Sequence, residues 1–338
     1  MHHKNIKQSL YGLILCAGLA FISIKLATLV PVLMLSPLII GVILGLILGN
    51  LTPTIVHNQV QHGLTLCSKP VLRLGVVLYG FRITVDGLLA VGWIGLGLSL
   101  FVTVTTLLLG CYLGEKLFKL DKQTSFLTAI GAAVCGAAAV LAAELISRAK
   151  PHQTAIAVAT VVLFGTLLML LYPLLYHLGF LFLSPWQYGF YTGASIHEVA
   201  QVLAAGTVAG EPAAAIAVIV KMTRVVLLAP LLILAGLYFN AYYRAHSANQ
   251  ERLPLYIPWF VLGFIFCIGL NSLNKIPAPH TAFIQAFDVF LLTMAMSALG
   301  FNTRFKALVQ LGLRPFYLGG VLVLWLVLST WTVVTLFV

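Results

Sequence analysis

Of the chain's 338 residues, 61% are hydrophobic and 8% charged, whereas a soluble domain carries about 25% charged residues to solvate its surface. With a mean hydropathy of +1.06, water is excluded as the main solvent. The formal charge of +11 is spread over short connectors instead of one basic stripe, which argues against nucleic acid as a partner and reads as a set of topology signals.

Apolar runs of about 20 residues, each long enough to cross about 30 Å of hydrocarbon, recur from end to end and leave no stretch for a globular domain. The first, from Leu10 to about Val30, is too long for the apolar core of a signal peptide and is expected to stay attached as the first membrane helix. Spans follow near 33–49, 64–81 and 88–113, then near 153–176, 212–238, 254–271, 282–300 and 315–336. Basic residues at Lys4 and Lys7, from Glu115 to Lys122, from Arg244 to Arg252 and from Arg304 to Arg314 mark cytoplasmic connectors, with the N-terminus inside and the C-terminus outside. Five cysteines (Cys16, Cys67, Cys111, Cys135, Cys267) form no C-x-x-C pair and have no histidine at ligand spacing, so no disulfide framework, metal or other cofactor is expected.

Two segments, 123–147 and 187–206, are rich in Gly and Ala and polar in mid-segment, unlike a lipid-facing helix. They resemble each other. Gly131-Ala132 followed by Ala138-x-Val140-Leu141-Ala142-Ala143 matches Gly193-Ala194 followed by Ala200-x-Val202-Leu203-Ala204-Ala205 with the same internal spacing. Each is followed by Ala-Ile-Ala-Val, at Ala155 and Ala215, and then by Pro173 or Pro230. An ordered series of this length indicates an internal repeat. If each segment is a re-entrant hairpin, Arg148 to His152 lies in the cytoplasm and the copies are inverted. If each crosses as a broken helix, the copies run parallel and Arg148 and Lys150 face outward, against the charge rule.

The second segment carries Gly193-Ala194-Ser195-Ile196-His197-Glu198-Val199-Ala200-Gln201. A His, a Glu and a Gln at bilayer depth each need a partner or a wet cavity, because hydrocarbon offers no hydrogen bonds. Lys221 and Arg224, three apart in an apolar span, share a helix face and can point into one cavity, where two cations favour an anion. The candidate substrate-binding residues are Lys221, Arg224, His197, Glu198, Gln201, Ser195, Gly193, Cys135 and Gly136; Cys135 is the pseudo-equivalent of His197. Glu198, His197 and the lone carboxylate Asp288 are candidates for coupling transport to an ion. Arg73 is a candidate to line the cavity, and Asn302 a weaker one. Walker, G-x-S-x-G and H-E-x-x-H motifs are absent, so an enzyme is not expected.

The series Leu72-Arg73-Leu74-Gly75, Gly80-Phe81-Arg82, Gly131 to Ala139, Gly193 to Gln201, Lys221-Met222-Thr223-Arg224 and Gly300-Phe301-Asn302-Thr303 resembles the YeiH-type family described as sulfate exporters. That family is placed beside the sodium/proton antiporters and bile-acid-type symporters. The resemblance implies crossed discontinuous helices, inverted repeats, and a core domain that moves against a second domain. It also points to sulfate or a related sulfur oxyanion.

The expectation is therefore an all-α polytopic membrane protein in a bacterial inner membrane, with about nine to eleven transmembrane elements and two discontinuous or re-entrant helices. Residues 1–338 form one transporter unit with core elements around 123–147 and 187–238, the remaining helices forming a scaffold or gate. Its expected partners are a small anionic solute and membrane lipid, with a proton or sodium ion as candidate coupling ion and a homodimer as candidate assembly. A cation/proton antiporter is the alternative, and a membrane enzyme or sensor subunit a third reading.

Overall fold

The computed structural model describes residues 2–29, 36–244, 259–273, 277–303 and 313–338. Of the basic connectors expected from Arg244 to Arg252 and from Arg304 to Arg314, residues 245–252 and 304–312 lie outside the described residues. Among those described, every regular element is a helix. Among the described residues seven helices are long and apolar enough to cross a membrane, and the spans expected near 33–49 and 254–271 are instead shorter apolar helices, Pro37–Leu51 and Trp259–Ser272.

A first group comprises α1 (His2–Leu29), α2 (Pro37–Leu51), α3 (Thr54–Leu66), α4 (Leu72–Tyr79), α12 (Trp259–Ser272) and α13 (Ala278–Asn302). Small residues let these helices meet backbone to backbone, as membrane helices require when apolar burial gives no preference for protein over lipid. A Cβ on Gly45 would lie 2.2 Å from the Ser297 carbonyl oxygen, and one on Gly12 would lie 2.6 Å from Gly63 Cα. Helices α3 and α4 are one span interrupted by a π-bulge at Cys67–Val71, where Pro70 removes a backbone donor.

A second group comprises α5 (Val85–Lys116), α6 (Lys122–Ala133), α7 (Ala137–Ser147), α8 (Pro151–His177), α9 (Pro185–Ser195), α10 (Val199–Gly206), α11 (Glu211–Arg244) and α14 (Arg314–Phe337). Thus α5, α8 and α14, which the sequence reading leaves with the gate, pack with the Gly/Ala segments. The two groups touch chiefly where α10 meets α2, α4 and α13 and where α12 meets α5 and α11.

Both Gly/Ala segments fold back on themselves. In a continuous helix residues 131 and 140 would be about 13 Å apart, and residues 188 and 205 about 25 Å. Instead, a Cβ on Gly131 would lie 2.7 Å from Val140, and the Tyr188 hydroxyl donates to the Ala205 carbonyl at 3.2 Å. Helix α9 runs beside the start of α11, with Gly189 against Ala213 and Gly193 against Ala217, and α10 returns until Gly206 meets Ala214. At the other end of α11, Lys122 lies 4.1 Å from the Tyr242 ring centroid and Phe126 packs on Phe239, at the start of α6. The hairpins therefore enter from opposite faces and meet tip to tip in mid-bundle. The hairpin reading holds, and the crossed through-helices implied by the family resemblance do not.

This topology has a labelling signature. In a background lacking the native cysteines, Leu117→Cys and His152→Cys should be modified by an impermeant maleimide from one face of the membrane. Phe180→Cys and Pro212→Cys should be modified from the other. Labelling of residues 117 and 152 from opposite faces would rule out the first hairpin.

Candidate functional site

The two tips are short non-helical breaks, 134–136 and 196–198, aligned in the repeat. Each break leaves a helix C-terminus (α6, α9) and a helix N-terminus (α7, α10) in the middle of the bundle, where carbonyl and N–H groups lack intrahelical partners. Helix α11 supplies the carbonyl ends with donors. The Lys221 ammonium donates to the Val134 carbonyl at 2.6 Å and the Ile196 carbonyl at 2.7 Å, one from each tip. The Arg224 guanidinium donates to Ala132 at 2.8 Å, to Ala133 at 2.6 and 3.0 Å, and to Ala194. Both side chains are fully buried. A buried cation costs several kcal/mol unless it is compensated; here the compensation is the negative end of two helix dipoles, about half a charge each.

Glu198 faces the opposite dipole end. Its Oε1 accepts from Ala137 N–H at 3.2 Å, at the start of α7, so the second tip caps the first. Gly136 makes this possible. Its φ is +66°, and a Cβ there would lie 2.5 Å from Glu198 Cγ, so any side chain would both strain the turn and expel the carboxylate. Gln201 accepts from the Glu198 N–H at 3.2 Å and donates to Thr166 at 3.2 Å, tying the tip to α8. Ser195 accepts from the Tyr172 hydroxyl at 2.9 Å and donates to the Tyr191 carbonyl. Gly193 lets α9 approach α11, its Cβ position being 2.5 Å from the Ala217 carbonyl. The His197 ring is buried, and its Nδ1 has no hydrogen-bond partner among the described residues.

A cavity of about 350 Å³ opens beside the tips, between the hairpin group and the first group of helices. Cys135, Ala137, Ala138, Glu198 and Val199 bring the two helix N-termini to its wall, and α4, α12 and α13 close it with Arg73, Phe260 and Asn302. Among the described residues its charged lining is Glu198, Lys69 and Arg73. Lys221, Arg224 and His197 stand behind the wall, so the cation pair expected to meet a solute instead holds the tips together. The sequence reading missed Ser68, Lys69, Phe260 and Thr303; Lys69 beside Pro70 in the third span was the available signal.

Asp288 lies elsewhere. It is fully buried and pairs through Oδ2 with Arg82 Nε at 3.3 Å. Arg82 also meets Glu211 at 3.1 Å and the Gln285 carbonyl at 2.9 Å, joining the end of α4 to the start of α11. This makes Asp288 a partner in a contact between the two helix groups, apart from the tips.

Arg224→Lys tests the bridging geometry, because an ammonium cannot reproduce a fork reaching three carbonyls. Each lost hydrogen bond to a buried charge is worth about 1.5–3 kcal/mol. The purified variant should therefore unfold well below the parent in a thermal-shift assay in detergent. Unfolding within about a degree of the parent would mean the contacts contribute little.

The family described as Conserved hypothetical protein 698 matches residues 11–319. The UPF0324 membrane protein of Bordetella pertussis is 41% identical over 332 residues, covering 98% of this chain and 95% of the relative. A UPF0324 membrane protein of Bacteroides thetaiotaomicron is 43% identical, covering 87% of this chain and 88% of the relative. The UPF0324 inner membrane protein YeiH of Escherichia coli is 40% identical, covering 87% and 84%. No solved structure matches the chain. With matches of this extent, the protein belongs to the YeiH-type UPF0324 family of membrane proteins.

Proposed function

We propose that the protein is a secondary transporter of a small anion that works by alternating access, with the solute held at the paired hairpin tips. The observation that carries this reading is the meeting of four helix ends, two basic side chains and one carboxylate in mid-bundle. Two helix C-termini and two N-termini contribute about −0.5 and +0.5 each and cancel. Protonated Lys221 and Arg224 with ionised Glu198 then leave a surplus of about +1, and Arg73 on the cavity wall adds to it. A surplus positive charge surrounded by hydrocarbon attracts an anion and repels a cation. A cation/proton antiporter would need further acceptors on the wall, where Glu198 stands as the sole acid among the described lining residues.

Inverted hairpins that meet at one point suit alternating access, because each half of the repeat can close one side of the same site. The hairpin group would carry the site past α4, α12 and α13, with Arg82–Glu211 among the contacts exchanged. Glu198 would be the coupling group: its protonation releases the α7 N-terminus to a solute and raises the local surplus to about +2. A bacterial inner-membrane location agrees with the printed name of the Escherichia coli relative, and a cytoplasmic N-terminus is the orientation that the basic connectors favour. Sulfate or a related sulfur oxyanion, suggested by the family resemblance, falls within the solute class.

Proteoliposomes loaded with unlabelled sulfate or methanesulfonate and diluted into the radiolabelled anion test this reading. The parent should show counterflow and pH-gradient-driven accumulation. Glu198→Gln, which mimics the protonated carboxyl, should retain counterflow and lose at least tenfold in accumulation. Accumulation equal to the parent's would remove Glu198 from coupling, and absence of any anion flux by the folded parent would remove the transport reading.

A further inference from the structure

The cavity beside the tips has a chemistry that bare sulfate does not match. We propose, building on the anion-transport reading, that the natural solute is a small organic monoanion whose apolar body lies between the two helix groups while its charged head meets the hairpin tips. The volume of about 350 Å³ falls at the lower end of small-molecule sites, far more than a bare tetrahedral oxyanion fills. The greater part of the wall is hydrocarbon: Leu72, Val76, Leu141, Val158, Val162 and Phe260 come from α4, α7, α8 and α12 and surround the space. A doubly charged oxyanion bound dry needs donors on all its oxygens, since each unpaired charged atom forfeits its hydration.

The polar part of the wall is small and suited to one head group. Ala138 and Val199 bring the starts of α7 and α10 to the cavity, where the first N–H groups of a helix have no intrahelical acceptor and the α7 end is shared with Glu198 until that carboxylate is protonated. Arg73 contributes a guanidinium that lies 6.0 Å from the Phe260 ring centroid and makes no ion pair among the described residues. Asn302 adds a side-chain amide to the same wall. One head group fits this short, net-positive polar stretch, to which Lys69 also belongs, and an apolar tail matches the remaining wall.

Sulfate and the straight-chain alkanesulfonates from methyl to octyl form a matched series, ionised at all relevant pH. Binding to the purified full-length protein in detergent, by thermal shift and calorimetry, reads the preference. Each methylene entering the apolar wall should tighten Kd about fourfold, until the cavity is full and affinity levels off or falls. A bulky residue at the wall, Val162→Phe, should move that limit to a shorter chain, while Arg73→Gln should weaken every member by tenfold or more and leave the slope per methylene unchanged. Sulfate binding as tightly as the best sulfonate, with no dependence on chain length, would overturn this inference and leave the anion reading standing. Affinity that rises without limit and ignores Val162→Phe would indicate insertion between lipid-facing helices and also overturn it. No binding by any member to folded protein would sink both.

Discussion

Two helix ends that point their carbonyls at each other inside a membrane repel and have no water to satisfy them. The contacts that Lys221 and Arg224 make with Ala132, Ala133, Val134, Ala194 and Ile196 remove both problems at once. One helix, α11, thereby fixes the position of both tips relative to each other. Everything downstream depends on this: the N-termini of α7 and α10 can face a cavity because the opposite ends of the breaks are already neutralised. Burying the cations is tolerable for the same reason, since a guanidinium and an ammonium offer enough donors to meet several carbonyls each.

The repeat that built the tips has become asymmetric at its centre. The two breaks align residue for residue, yet one places a carboxylate at Glu198 where the other has Gly136, and one places His197 where the other has Cys135. The carboxylate of one copy occupies the space left by the missing side chain of the other and caps its helix. Only one of the long helices following the hairpins carries the cations; α8 has no basic side chain beyond its first turn until His177. Such division lets a pseudo-symmetric frame hold a directional charge pattern, positive and negative ends assigned to different sides of one junction.

Contact between the hairpin group and the other helices is sparse compared with contact within each group, and the cavity lies in that sparse seam. Few shared contacts mean few to exchange in the proposed motion of one group against the other, while glycine-lined seams such as α2 on α13 pack the helices within a group closely. Arg82 spans the seam at one end, joined to Asp288 in its own group and Glu211 in the other. The cavity wall is therefore drawn from both groups, as the proposed alternating access requires.

How much was legible beforehand follows from the range of each interaction. Membrane residence, seven of the nine expected spans, the repeat and the polar tips were readable because hydrocarbon punishes a misplaced charge or bare backbone within a few residues along the chain. The Arg148 to His152 connector even indicated hairpins over crossings, since basic residues resist translocation. The roles of Lys221 and Arg224 were not readable: helical spacing shows that two cations share a face, but not that the face meets two carbonyl ends from segments 25 to 92 residues earlier. Nor could spacing place Arg73, Phe260 and Asn302 around one cavity or move Asp288 away from it. By itself the sequence determined solvent, helix content and which residues must find partners; tertiary structure alone decided which partners they found, because hydrogen bonds and cavities form between atoms close in space and distant in the chain.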